Sequence, residues 1–202
     1  MFIKLKKCYF CRRELPFLGH LITDQGVKPD PAKLQAIETI QPPKNVKDLR
    51  AFLGLTGYYR RFIKDYAAIA KPLTNLTGSK VSWNWTIECQ EAFVTLKRKL
   101  LTDPILAFPN FNRPFILHTD ASDFAIGAVL SQKDDNGIDR VISYASRKLN
   151  PAERNYSATA RECLAVVHWT KYYRPYLFGT KFTVVTDHVS LKWLFNFKQP
   201  NP

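Results

Sequence analysis

The hydrophobic pattern of the chain changes period near its middle. Between residues 31 and 100, apolar side chains recur every three or four positions, the spacing of helices that bury one face. Asp30 before Pro31 predicts a helix over 31–40: the carboxylate caps free N–H groups, and proline occupies the first turn, where its missing donor is not needed. Pro42 and Pro43 end that helix, and Asn45 caps a longer one whose Leu49, Phe52, Leu53, Tyr59, Phe62 and Ile63 fall largely on one face. A third helix is expected over 66–76. Gly78-Ser79-Lys80 breaks the pattern, and Trp83 and Trp85 sit in a short extended piece. Thr86 then caps a helix with Ala92, Phe93, Leu96 and Leu100 inward and Lys97-Arg98-Lys99 outward. Ahead of all these, residues 1–24 contain a strand-like run from Glu14 to Ile22, closed by Asp24-Gln25-Gly26, which predicts a β-hairpin edge.

Pro104, Pro109 and Pro114 punctuate residues 103–114. Each removes a backbone donor and disfavours helix just before it, so this stretch reads as a connector. Beyond it, residues 115–120 and 125–130 are strand runs, Asp134-Asp135-Asn136-Gly137 is a hairpin turn, and 141–144 supplies a third strand. A helix follows over about 156–173, with Ala160, Leu164, Val167, Trp169 and Tyr172 as its expected inner face. Residues 182–186 return as a strand, and a short helix over 189–195 comes last. The second half therefore has the order β-β-β-α-β-α, and the whole is a mixed α/β (α+β) chain with its helical part first.

Charge bears on the partner. Thirty Lys and Arg against seventeen Asp and Glu give a net charge of +13, which attracts polyanions over roughly a Debye length. Basic residues also adjoin aromatics, in Tyr58-Tyr59-Arg60-Arg61-Phe62 and in Tyr172-Tyr173-Arg174-Pro175-Tyr176. Such runs offer phosphate contacts and stacking planes together, although packing can claim the same rings. Charges interrupt every apolar stretch before the roughly 18–20 residues a membrane span needs. The N-terminus has no secretory signal pattern, so an intracellular setting, a cytoplasmic particle or the nucleus, is expected. Cys8, Cys11, Cys89 and Cys163 are too few and scattered for a disulfide framework. Cys8-Tyr-Phe-Cys11 has the spacing of a zinc knuckle, but no second Cys or His pair follows it.

Three acids occupy positions that packing does not favour: Asp120 at the end of the first strand after the connector, Glu162 within the helix, and Asp187 after the fourth strand. Alone, each could be a turn or cap residue. If the first and fourth strands are neighbours and the helix crosses the sheet, the carboxylates converge and repel unless cations intervene. Hard oxygen ligands suit magnesium or manganese. Two such ions about 4 Å apart hydrolyse phosphodiesters. Asp134-Asp135, by contrast, belongs to a solvent-facing turn. His20, His118, His168 and His188 show no ligand spacing; His188, beside Asp187, touches substrate, or a partner that supports the site, or caps the helix that follows.

The strings Phe115-Ile-Leu-His-Thr-Asp120-Ala-Ser-Asp123, Tyr144-Ala-Ser-Arg147-Lys-Leu-Asn-Pro151-Ala-Glu-Arg-Asn-Tyr156, Glu162-Cys-Leu-Ala165 and Thr183-Val-Val-Thr-Asp187-His188 resemble the ribonuclease H domain of gypsy-type long-terminal-repeat retrotransposon Pol polyproteins. Upstream, Phe17-Leu18-Gly19-His20, Phe52-Leu-Gly-Leu55, Gly57-Tyr-Tyr-Arg-Arg-Phe-Ile63, Lys71-Pro-Leu73 and Glu91-Ala-Phe-Val-Thr-Leu-Lys97 resemble the palm end, thumb and connection of the same polyproteins.

The resemblance implies an end of palm with a primer-holding hairpin over 1–27, a helical thumb and connection over 28–102, a connector over 103–114, and an incomplete ribonuclease H-like domain over 115–202. It implies that Asp120, Glu162 and Asp187 are catalytic and hold the metal, two magnesium or manganese ions in a complete site. It further implies nucleic-acid contacts by Phe17, Leu18, Gly19, His20, Arg60, Arg61, Arg147 and His188. The partners expected are an RNA–DNA hybrid or primer–template duplex and the remainder of the Pol polyprotein. The parent activity is RNA-directed DNA synthesis with hydrolysis of RNA in hybrids. Departures accompany the likeness: the family's polymerase aspartates lie upstream of the hairpin, and its fourth nuclease carboxylate lies beyond the Thr-Asp-His motif, where this chain has no further acid, so weak activity or none is expected of the chain alone. A basic nucleic-acid-binding module without catalysis is the competing expectation.

Overall fold

The computed structural model of the chain describes residues 8–102 and 104–191. Its first part is a three-stranded antiparallel meander, β1 (Leu15–Phe17), β2 (His20–Thr23) and β3 (Gly26–Pro29). The expected hairpin thus carries one more strand, with Asp24 and Gln25 forming the turn between β2 and β3. The helices α1 (Pro31–Thr39), α2 (Val46–Tyr58) and α5 (Ile87–Leu101) start where their caps predict. Asp30, Asn45 and Thr86 each accept a hydrogen bond from a backbone N–H of the first turn.

The single helix expected over 66–76 is instead two short ones, α3 (Tyr66–Ile69) and α4 (Lys71–Asn75). Pro72, in the first turn of α4, has no N–H to donate to the Ala68 carbonyl, so the ladder of a single continuous helix is interrupted there. Lys97, expected to face outward, folds back so that its ammonium donates to the carbonyls of Glu38 and Ile40, both at 2.8 Å, at the end of α1. Leu49, Phe52, Phe62, Leu73, Phe93, Leu96 and Leu100 lie in the core that these helices share.

The second sheet has the order β6-β5-β4-β7. Strands β4 (Phe115–Ala121), β5 (Ala125–Lys133) and β6 (Asp139–Lys148) form an antiparallel meander, and β7 (Phe182–Val185) joins β4 in parallel. Between β6 and β7 the chain crosses one face of the sheet as α6 (Ala158–Tyr172), capped by Ser157, and the short α7 (Arg174–Leu177). Phe115, Leu117, Ile126 and Leu130 of the sheet pack on Ala165, Trp169 and Tyr173. The expected inner face of this helix needs correction: Ala160, Val167 and Tyr172 are exposed, whereas Glu162, Ala165 and Trp169 are buried. Apolar residues surround much of this helix, and the stripe bearing the larger rings, Trp169 and Tyr173, fills the sheet surface.

The described part of the expected connector, residues 104–114, is bonded to its neighbours. Leu106 is buried and makes a two-bond bridge with Val27, N–H to carbonyl at 2.8 and 2.9 Å, while the Ala107 N–H donates to the Val141 carbonyl at 2.7 Å. The segment is thereby stitched to both sheets. Only the start of the helix expected over 189–195 is described: the Leu191 N–H donates to the His188 carbonyl at 3.0 Å, and residues 192–195 lie outside the described residues. Among the described residues no helix is long and apolar enough to cross a membrane.

Candidate metal centre

The parallel ladder of β4 and β7 sets His118 level with Val185, and Asp120 and Asp187 each follow two residues further on. Glu162 arrives from α6 on the same stripe as Ala165 and Trp169, so the packing that buries the rings also presses this carboxylate onto the sheet. One carboxylate oxygen from each of Asp120, Glu162 and Asp187 lies within 4.8 Å of the others.

Glu162 is buried while the two aspartates are exposed. Its Oε1 accepts the Ala121 N–H at 3.2 Å, and its buried Oε2 has no hydrogen-bond partner. Burial pushes its carboxyl above the ordinary range, reinforced by the negative charges of Asp187 and then Asp120; the Ala121 N–H and His188 pull the other way. A buried acceptor without a donor, on a carboxylate that meets two others, is an arrangement that a divalent cation satisfies, and the all-oxygen donor set is that of a hard ion. The residues therefore fit a magnesium or manganese site.

His188 follows Asp187, and its Nε2 is 2.9 Å from the Thr159 hydroxyl on α6. This bond ties the loop carrying Asp187 to the helix carrying Glu162. Thr159 had no sequence signal, because the contact joins residues far apart in the chain. Nothing in the fold brings the zinc-spaced Cys8 and Cys11 into a cluster of metal ligands among the described residues.

The remaining expected contact residues lie elsewhere. Leu18 and Gly19 form the turn between β1 and β2, both with positive φ, at +46° and +69°. The Tyr58 hydroxyl donates to the Leu18 carbonyl, and that of Tyr59 to the Gly19 carbonyl at 2.6 Å. The His20 ring stands among Tyr58, Tyr59 and Phe62, at centroid separations of 5.4, 5.6 and 5.7 Å. Phe17 and Leu18 remain exposed at the tip. Arg60 is exposed and Arg61 half-buried, just after α2. Arg147, expected as a nucleic-acid contact, also bonds within the chain. Its guanidinium grips Glu153 through two bonds of 2.7 and 2.9 Å and donates to His168 Nε2 at 3.2 Å and to the Lys148 carbonyl at 3.1 Å, which commits it within the chain.

An antiparallel three-strand meander with a parallel fourth strand, crossed by a helix that brings a carboxylate to the two strand acids, defines a ribonuclease H-like domain. Residues 85–184 match the family described as the RNase H-like domain found in reverse transcriptase. The chain is 48% identical to the retrovirus-related Pol polyprotein from transposon 297 of Drosophila melanogaster, over 98% of this chain and 18% of that protein. It is 46% identical to the polyprotein from transposon opus of the same fly, over 94% and 20%, and 37% identical to the Tf2-3 polyprotein of Schizosaccharomyces pombe, over 95% and 14%. The chain thus belongs to the Pol polyproteins of gypsy-type long-terminal-repeat retrotransposons, and it spans a fifth or less of the length of these relatives.

Solved structures share the fold. A foamy viral protease-reverse transcriptase in complex with RNA/DNA hybrid superposes with a TM-score of 0.78 at 22% identity, over 96% of this chain and 26% of that one. The same kind of protein in complex with dsDNA gives 0.74 at 25% identity, over 95% and 40%.

Proposed function

We propose that this segment carries the ribonuclease H centre of its polyprotein and cuts the RNA strand of an RNA–DNA hybrid. Asp120, Glu162 and Asp187 are the residues that hold the divalent cations, magnesium or manganese. The observation that carries this reading is the meeting of three carboxylates within 4.8 Å on an RNase H-like sheet. Bound there, such ions supply an activated water and stabilise the leaving oxygen.

The chain's own residues do the rest. The Ala121 N–H fixes one oxygen of Glu162 and leaves the other buried without a partner. The Thr159–His188 bond holds the Asp187 loop against α6. The tip residues Phe17, Leu18, Gly19 and His20, with Arg60 and Arg61, are read as contacts to the primer–template duplex, and the net charge of +13 supplies its general attraction.

The test is binding of Mn2+ to the metal-free chain, followed by its paramagnetic signal, beside cleavage of a labelled hybrid. Wild type is expected to bind and to nick the RNA strand, and Asp120→Asn to weaken binding tenfold or more and abolish nicking. Equal metal affinity in both would refute the site. The charge favours one second reading, a basic module that binds duplex without cutting it. Hybrid affinity that falls steeply with salt while no Mn2+-dependent cut appears is its signature.

A further inference from the structure

Away from the carboxylates, three cations converge on one aromatic ring. Phe124 lies in the turn 122–124 between β4 and β5. Lys71 Nζ is 4.4 Å from its ring centroid, Lys148 Nζ 5.3 Å, and the Arg154 guanidinium carbon 5.1 Å. They come from separate elements: Lys71 opens α4 in the helical part, Lys148 ends β6, and Arg154 sits in the short 3-10 turn Glu153–Asn155.

The backbone holds this arrangement in place. The Leu149 N–H donates to the Phe124 carbonyl at 2.7 Å, and Arg154 Nε donates to the Leu149 carbonyl at 3.3 Å. Ser146 Oγ accepts the Ala67 N–H at 2.9 Å, joining the helical part to β6 close to Lys148. An electron-rich ring face attracts each cation, but the three repel one another. Burial, then Arg154 and Lys71, lower the Lys148 ammonium below its ordinary range. The nearby carboxylates are engaged elsewhere, Glu153 by Arg147 at 2.7 Å and Asp123 by Arg161 at 2.6 Å. Among the described residues, no carboxylate forms an ion pair with Lys71, Lys148 or Arg154.

We propose that Lys71, Lys148 and Arg154, gathered around Phe124, form a seat for one backbone phosphate of a nucleic-acid duplex. The inference rests on the reading that the chain binds such a duplex, and it adds a second hold on the strand, shared between the helical part and the nuclease-like sheet. Phe124 follows Asp120 by four residues, a reach of at most about 14 Å. The seat therefore lies at the same end of β4 as the carboxylates. Lys71 and Arg154 are exposed, so the seat is open to a polymer and not closed around a small anion.

The test scans a hybrid in which one phosphate at a time is replaced by an uncharged methylphosphonate. Wild type is expected to lose affinity severalfold at one position or two adjacent ones. The triple variant Lys71→Gln, Lys148→Gln, Arg154→Gln is expected to be insensitive there and to show a salt slope shallower by about 0.9. Lys71→Gln alone, at an exposed site, is expected to give part of the effect with an unchanged melting temperature, and the charge-keeping variant Lys71→Arg, Lys148→Arg, Arg154→Lys to retain it. Salt-dependent binding with an identical scan in wild type and triple variant overturns the seat and leaves duplex binding standing. Absence of salt-dependent binding by wild type overturns both. Loss of the positional effect when inorganic phosphate replaces chloride at equal ionic strength marks a free-anion site and overturns the proposal.

Discussion

The Ala121 N–H donates to Glu162 Oε1 at 3.2 Å, so the backbone beside Asp120 grips the carboxylate that α6 delivers. One hydrogen bond thus links the strand acid to the helix acid. It leaves Glu162 Oε2 buried and unpartnered, on a carboxylate that meets those of the two aspartates.

A pH dependence with a definite sign follows. Burial, then Asp187 and Asp120, raise the Glu162 carboxyl above its ordinary 4.5. A raised acid binds protons more tightly in the folded state, so this contribution to stability is full below 4.5 and is lost as pH rises through the folded value. In chelator, the melting temperature of wild type should fall over that window more steeply than that of Glu162→Gln, and millimolar Mg2+ should restore the wild type. A Glu162→Gln profile parallel to wild type would remove the repulsion argument.

Glu153 supplies the opposite sign. The Arg147 guanidinium holds its carboxyl down to about 2, with the Asn150 N–H assisting. This contribution is present above the ordinary 4.5 and is lost as pH falls toward 2. Arg147→Gln should flatten that acid limb and lower stability by about 1.5–3 kcal/mol, the range for hydrogen bonds to charged groups. Because the guanidinium is committed inside the chain, the salt slope of hybrid binding should not change. Urea unfolding at several pH values, with anisotropy on a labelled hybrid, measures both.

Gly26 marks the stitch between the two sheets. Its φ is +142°, and a Cβ there would stand 2.2 Å from the Leu106 carbonyl oxygen. A side chain demands both an unfavourable backbone and retreat of the segment that bridges Val27, so Gly26→Ala should destabilise by more than about 2 kcal/mol. Denaturant unfolding checks the loss; hydrogen exchange should show faster exchange of the Leu106 and Val27 amides.

These features differ in how far they can be read without coordinates. Caps such as Asp30, Asn45 and Thr86 are local, and so are the apolar runs that mark β4 and β5; each carries its signal within a few residues. The approach of Asp120 to Asp187 follows from strand order once two strand ends bear acids. The Leu106–Val27 bridge was hidden because backbone hydrogen bonds leave no side-chain signature. The inner face of α6 was misread because two apolar stripes compete there, and only the sheet selects the one with Trp169. The cations around Phe124 meet across long separations, which a pattern along the chain does not reveal.

Leu18 offers the sharpest separation of stability from function. It holds φ at +46°, a left-handed backbone that branched apolar residues rarely adopt, yet its side chain is 73% exposed and contributes little packing. The Tyr58 hydroxyl, bonded to the Leu18 carbonyl, helps keep the strained turn in place. Strain retained at an exposed tip is consistent with a contact that the fold itself does not need. Leu18→Asn, whose side chain tolerates this backbone, should raise stability by about 0.5–1 kcal/mol, a part of the roughly 1–2 kcal/mol that the left-handed region imposes. Hybrid affinity should drop severalfold at the same time, because the apolar tip is lost. Melting temperature and anisotropy on one preparation decide the matter: lower stability with unchanged affinity would assign the tip to folding alone.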